Sequence, residues 1–187
     1  SGCLLFAKRR SALRSMHERL RENAVEKCYL ALLAGRLDTG ERRVDAALVT
    51  NLRRGGERMV GVDPDNGKRS VSTFRSVQAY PAATLAEVRI ETGRTHQIRV
   101  HTSHVSHPLL GDQVYGGRPR KGQTQGPKAM VTGDNLSRMI SRHALHASRL
   151  SFTHPENGNV LAFQTALPED MRFALEMLYK EYRFKEV

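Results

Sequence analysis

At 187 residues the chain suits one domain with a core of useful size. Thirty Lys and Arg against nineteen Asp and Glu leave a formal net charge of +11, which calls for a polyanionic partner, nucleic acid before an anionic membrane surface. No apolar run reaches membrane-spanning length, and with Trp absent and aromatic residues sparse, a surface that stacks many unpaired bases is not expected.

The first residues, Ser1 to Lys8, are apolar but too short and wrongly flanked for a signal peptide; they read as a buried strand whose beginning lies upstream. Cys3 and Cys28 have no metal-like spacing and are expected to be reduced thiols in a cytoplasmic protein. Ser11 is the expected cap of a helix over 11–23, with Leu13, Met16 and Leu20 on one face. Lys27 to Leu33 alternates and then runs apolar, which predicts a strand with Tyr29 on one side and Cys28 and Leu30 on the other. Arg43 to Thr50 is a weaker predicted strand. Residues 53–58 read as a basic turn and 63–67 as a second turn.

Two strands come next, near 70–79 and 83–91, divided by Tyr80-Pro81, and the second ends where Thr92-Gly93 lets the chain turn sharply. A helix is predicted from Thr95 to about Val105, stopped by His107-Pro108. Residues 116–137, rich in glycine and basic side chains, read as a mobile loop suited to phosphate contact, with Arg118 and Arg120 as its candidates. Ala144 to Phe152 and Val160 to Leu167 form a predicted hairpin, and a last amphipathic helix starts near Pro168 with Met171, Leu175, Leu178 and Tyr182. Strands mixed with a few helices, without regular alternation, predict an α+β fold around a mostly antiparallel mixed sheet flanked by helices and loops.

The segment richest in chemistry is Glu91 to His101, ETGRTHQIRVH. It places Arg94, His96, Gln97, Arg99 and His101 after a strand and a glycine turn. A helix N-terminus there offers unpaired N–H groups and a positive dipole end for an anion. The plain alternative is a basic, solvated helix start. A metal site built from His96, His101, His104 and His107 is the other alternative; no two of them stand at the i, i+4 spacing of a helical pair, and no metal is expected.

The stretch from Thr92 to Gly116, TGRTHQIRVHTSHVSHPLLGDQVYG, resembles the signature of the RluA-type pseudouridine synthases. Ser1 to Lys8 is similar to the end of that family's catalytic motif, Lys27 to Ala31 to the motif holding its active-site tyrosine, and Leu145-His146-Ala147 to its last motif. Lys8 to Tyr29 most resembles the bacterial branch that modifies large-subunit ribosomal RNA. The resemblance implies the pseudouridine synthase catalytic fold over 1–187, lacking its N-terminal portion. It implies isomerisation of uridine to pseudouridine in large-subunit ribosomal RNA, with no cofactor, by a monomer in the cytoplasm and not at a membrane. It also implies an aspartate just upstream of Ser1 as nucleophile, so that residues 1–187 alone are expected to be inactive. Arg94 then partners that aspartate, Tyr29 lies against the uracil, and Leu145 closes the pocket on the other face of the base. His96, Gln97 and Arg99 are expected to orient the motif or contact RNA, and Asp112 to be a turn or capping carboxylate rather than a substitute nucleophile. A non-catalytic basic RNA-binding domain is the alternative; a metal-dependent hydrolase is a third.

Overall fold

The computed structural model describes residues 1–38, 40–54, 57–116, 136 and 140–183, with backbone alone for 51–54, 57, 58 and 183. In chain order the elements are α1 (Arg10–Arg21), β1 (Val25–Ala34), β2 (Glu41–Asp45), β3 (Leu48–Arg54), β4 (Glu57–Val62), β5 (Val71–Ala79), β6 (Ala83–Ile90), α2 (Gln97–His104), β7 (Leu145–Thr153), β8 (Val160–Gln164) and α3 (Glu169–Arg183). Six strands form one sheet in the order β2-β5-β6-β1-β7-β8, and every neighbouring pair in it is antiparallel. The pair β3-β4 makes a separate hairpin. The α+β expectation is therefore met.

The central strand β1 has its side chains divided between two cores, as its alternation requires. Tyr29, Ala31 and Leu33 join Val44, Phe74, Ala86, Val88, Ile98 and Leu109 on one face. Leu30, Leu32 and Ala34 join Leu85, Leu110, Ile140 and the α3 residues Met171, Ala174 and Leu178 on the other. Phe74, Leu32 and Leu33 are almost wholly buried; each such side chain contributes about 1.5–3 kcal/mol over its exposed state. The first face carries α2 and the second carries α3; α2 lies against β5 and against β4 of the hairpin.

Several boundaries differ from the sequence reading. Helix α1 starts at Arg10, before Ser11, and its N-cap residue Arg9 makes no side-chain capping bond. Of its expected apolar face only Met16 is buried, against Val25 and Phe152; Leu13 and Leu20 are exposed. The single strand expected over Arg43 to Thr50 is two strands, because the chain leaves the main sheet after Asp45 and enters the hairpin at Leu48. Strand β8 stops at Gln164, short of Leu167. The first residues are not a full strand: Gly2 forms an isolated parallel bridge with Ala147. Gly55 and Gly56 of the expected basic turn, and most of the expected loop 116–137 including Arg118 and Arg120, lie outside the described residues.

Candidate active site

Strand β6 delivers the chain to Thr92-Gly93, and Gln97 fixes the turn between that glycine and α2. Its side chain is 3% exposed. The amide oxygen accepts from the Thr92 hydroxyl at 2.8 Å and the Arg94 N–H at 3.0 Å; the amide nitrogen donates to the Val71 carbonyl at 2.9 Å and to Ser72 Oγ at 3.0 Å. All four hydrogen-bonding positions of the amide are thus used inside the protein. Gln97 shapes the turn that carries Arg94 and has nothing left to offer a ligand. His101, one helical turn later, is wholly buried. Its Nε2 lies 3.1 Å from the Ala46 carbonyl, which can only accept, so Nε2 carries the proton and Nδ1 accepts from Ser72 Oγ at 3.0 Å. Burial lowers its pKa, and with both nitrogens committed it is not a metal ligand.

The helix begins two residues later than expected. His96 adopts a left-handed conformation with φ 54° as the residue before α2. The turn leaves its ring at the surface, with Nδ1 2.8 Å from the Tyr115 hydroxyl, and that hydroxyl accepts from the Val60 N–H at 3.0 Å. Tyr115 therefore joins the start of α2 to the β3-β4 hairpin. Beneath it, Arg99 makes a two-pronged pair with Asp112, Nε to Oδ2 at 2.7 Å and Nη2 to Oδ1 at 2.8 Å, and its guanidinium carbon lies 4.7 Å from the Tyr115 ring centre. Burial alone would raise the Asp112 pKa; the Arg99 bonds and charge, with the N–H groups of Tyr115 and Val114, outweigh it and hold the carboxyl below its usual range. The sequence reading of Asp112 as a turn carboxylate is met by the Val114 and Tyr115 N–H bonds, but its main partner, Arg99, was not foreseen. Arg99, like Gln97, faces inward and is committed within the protein.

Tyr29 and Leu145 pack against the same cluster as Ile98 of α2. Tyr29 sits where the β1-β7 register shifts between Cys28 and Leu30, a bulge that sets two β7 residues, Ala147 and Ser148, opposite one β1 residue. Tyr29 is half-buried, and burial raises its hydroxyl pKa. Arg94 is exposed; its Nε donates to the Arg69 carbonyl at 3.4 Å. The structure thus joins Tyr29, Leu145 and α2 on one face and sets Arg94 at the mouth of that helix. The arrangement offers a flat ring and an aliphatic side chain against one cluster, and a guanidinium on a turn held rigidly by Gln97.

The β7 bulge also releases the backbone of Ala147 from β1. Its N–H donates to the Ser1 carbonyl at 2.9 Å and its carbonyl accepts from the Cys3 N–H at 2.8 Å. The start of the chain is thereby fastened beside Tyr29. His146, quoted in the last motif but given no role by the sequence reading, is 2% exposed, and its Nδ1 lies 3.0 Å from Ser1 Oγ.

Comparisons with known proteins identify the family. Residues 1–104 match the model of the RNA pseudouridylate synthase family, and the chain belongs to that family. It is 42% identical over 178 residues to the ribosomal large subunit pseudouridine synthase C of Escherichia coli (strain K12), covering 95% of this chain and 53% of that protein. The synthase C of Haemophilus influenzae is 40% identical over 178 residues, 95% of this chain and 52% of that protein. The chain spans about half the length of the curated relatives it matches. Human RNA pseudouridylate synthase domain containing 4 has the same fold, with a TM-score of 0.70 at 23% identity over 91% of this chain and 69% of that one. Human domain containing 1 gives a TM-score of 0.65 at 22% identity over 92% and 73%. No described helix is long and apolar enough to cross a membrane.

Proposed function

We propose that the protein isomerises uridine to pseudouridine in large-subunit ribosomal RNA. The observation that carries this reading is the face on which Tyr29 and Leu145 meet α2, with Arg94 on the turn before it, in a chain of this family. In the proposed reaction an aspartate in the segment leading into Ser1 acts at C1′ of a flipped-out uridine. The N1–C1′ bond breaks, the uracil turns, and C5 bonds to C1′ while a proton leaves C5 and one is gained at N1. Tyr29 lies flat against the base with its hydroxyl protonated, Leu145 covers the other face, and Arg94 orients the aspartate and keeps it ionised. His96, at the surface beside Arg94, meets the RNA backbone, as do Arg118 and Arg120; Gln97 and Arg99 orient the motif. No cofactor or metal is required. The protein works as a cytoplasmic monomer, and its charge of +11 suits an RNA partner.

The test is pseudouridine formation on unmodified large-subunit ribosomal RNA by the protein from its complete reading frame, with a chelator present. Activity supports the reading; its absence, or a requirement for metal, refutes it. A polypeptide of residues 1–187 alone should bind the RNA with steep salt dependence yet make no pseudouridine, and turnover by it would refute the upstream nucleophile.

A further inference from the structure

We propose that His146 is a positioning residue: from the interior it fixes, through the Ser1 hydroxyl, the segment that carries the nucleophile into the site. The inference rests on the functional reading above. His146 stands next to Leu145 on β7, and the two side chains point to opposite faces of the strand. Leu145 packs against the same cluster as Tyr29, while His146 is buried with Nδ1 3.0 Å from Ser1 Oγ. Its Nε2 is buried with no hydrogen-bond partner among the described residues. The Ser1 hydroxyl can donate to Nδ1 or accept from it, according to the tautomer, and either way the bond ties Ser1 to β7.

This bond does not act alone. Ala147, the next residue, holds Ser1 and Cys3 through its backbone, and Gly2 lies so close to it that an added Cβ would collide with the Ala147 backbone. Gly2 also has φ +112°, which a side chain rarely tolerates. Three consecutive β7 residues therefore set the pocket wall, the side chain of Ser1 and the backbone of Ser1 to Cys3. A shift in one is felt in the others, which makes β7 the part that aligns the incoming segment with the base between Tyr29 and Leu145. The backbone bonds set where Ser1 sits; the His146 bond sets its rotation about the chain axis, and with it the aim of the residues before it.

The experiment uses the protein from its complete reading frame, with single-turnover rates and RNA affinity measured for His146→Leu, His146→Asn and Ser1→Ala. His146→Leu should lower the saturating rate on the order of ten- to hundredfold while RNA affinity stays within about twofold, because a small misplacement of a reacting group costs rate rather than binding. His146→Asn puts an amide, able to accept from or donate to the Ser1 hydroxyl, where Nδ1 was and should recover most of the rate. Ser1→Ala should match the loss in His146→Leu, and the double variant should be no slower than either. If His146→Leu does not fold, Ser1→Ala against wild type decides alone. An unchanged rate in Ser1→Ala overturns the inference while leaving the functional reading standing, as do additive losses in the double variant or an Asn variant no better than Leu. A wild-type protein that makes no pseudouridine overturns both.

Discussion

Removing the Asp112 carboxylate should be the most destabilising single change near the site. Asp112 is 2% exposed and accepts four hydrogen bonds: two from Arg99 at 2.7 and 2.8 Å, one from the Val114 N–H at 3.1 Å and one from the Tyr115 N–H at 3.2 Å. Asp112→Ala leaves a buried guanidinium without its counter-charge and two N–H groups without acceptors. Breaking a buried pair in this way costs about 3–5 kcal/mol, a large share of the roughly 5–15 kcal/mol that holds a domain folded. Asp112→Asn keeps an acceptor but loses the charge and one bond to Arg99, and should cost about 1.5–3 kcal/mol. The double variant Arg99→Met, Asp112→Leu removes both charges and should recover most of the loss, since the desolvation of each partner disappears with it. Denaturant titration reads all three as shifts in midpoint at unchanged slope. The pair also sets a pH limit. The folded-state pKa of Asp112 is depressed, so its contribution is complete above the unfolded value of about 3.9 and is lost as pH falls through the folded value. An Asp112→Ala midpoint equivalent to less than about 1 kcal/mol, the level of a surface ion pair, would refute the reasoning.

The sequence pattern carried the local elements and missed the long-range ones. Strand β1 was legible because its alternation places Tyr29, Ala31 and Leu33 on one face whatever surrounds them. The start of α2 was set too early because His96 takes a left-handed turn that Gln97 and Tyr115 impose, and no residue spacing announces a partner 19 positions away. Gln97 was expected to orient the motif or contact RNA; its interior position comes from Val71 and Ser72 on β5, which only the fold brings to it. The strand over Arg43 to Thr50 divides because the Ala46 carbonyl is taken by His101, 55 residues on. Met16 alone of its helical stripe is buried because α1 packs on the ends of β1 and β7, too small a surface for a whole face. For Arg99, Gly111-Asp112 after the motif was a turn signal, but its charge partner lay 13 residues back and could be assigned only from coordinates.

His101, whose folded-state pKa burial lowers, should take up its proton later than in the unfolded chain; stability is then undiminished above about pH 6.5 and falls as the pH drops below it, and His101→Gln should flatten that slope by up to about 1.4 kcal/mol per pH unit in acid melts. A slope unchanged in the variant would exclude His101 as its source. Gly111→Ala should destabilise by more than about 1 kcal/mol, because φ is +73° and the added Cβ would collide with the Arg142 carbonyl; a neutral midpoint would mean that loop can shift. Arg94→Ala, by contrast, should leave the melting curve nearly unchanged, since the side chain is exposed and its guanidinium makes one long bond to the Arg69 carbonyl while its backbone N–H stays held by Gln97. Its cost should fall on the reaction. Without the guanidinium the proposed aspartate loses its orientation and its pKa rises, and removal of such a preorganised charge lowers turnover on the order of a hundredfold or more. Arg94→Lys keeps the charge without the two-pronged geometry and should be impaired as well. Arg118→Ala and Arg120→Ala should do the reverse, weakening RNA binding and its salt slope while sparing the saturated rate. The separation is what tests the assignment: phosphate contacts act before the base is in place, and a carboxylate partner acts after. If Arg94→Ala binds RNA poorly in the complete protein yet reacts at the wild-type rate once saturated, Arg94 belongs with the phosphate-binding residues and the proposed pairing is wrong.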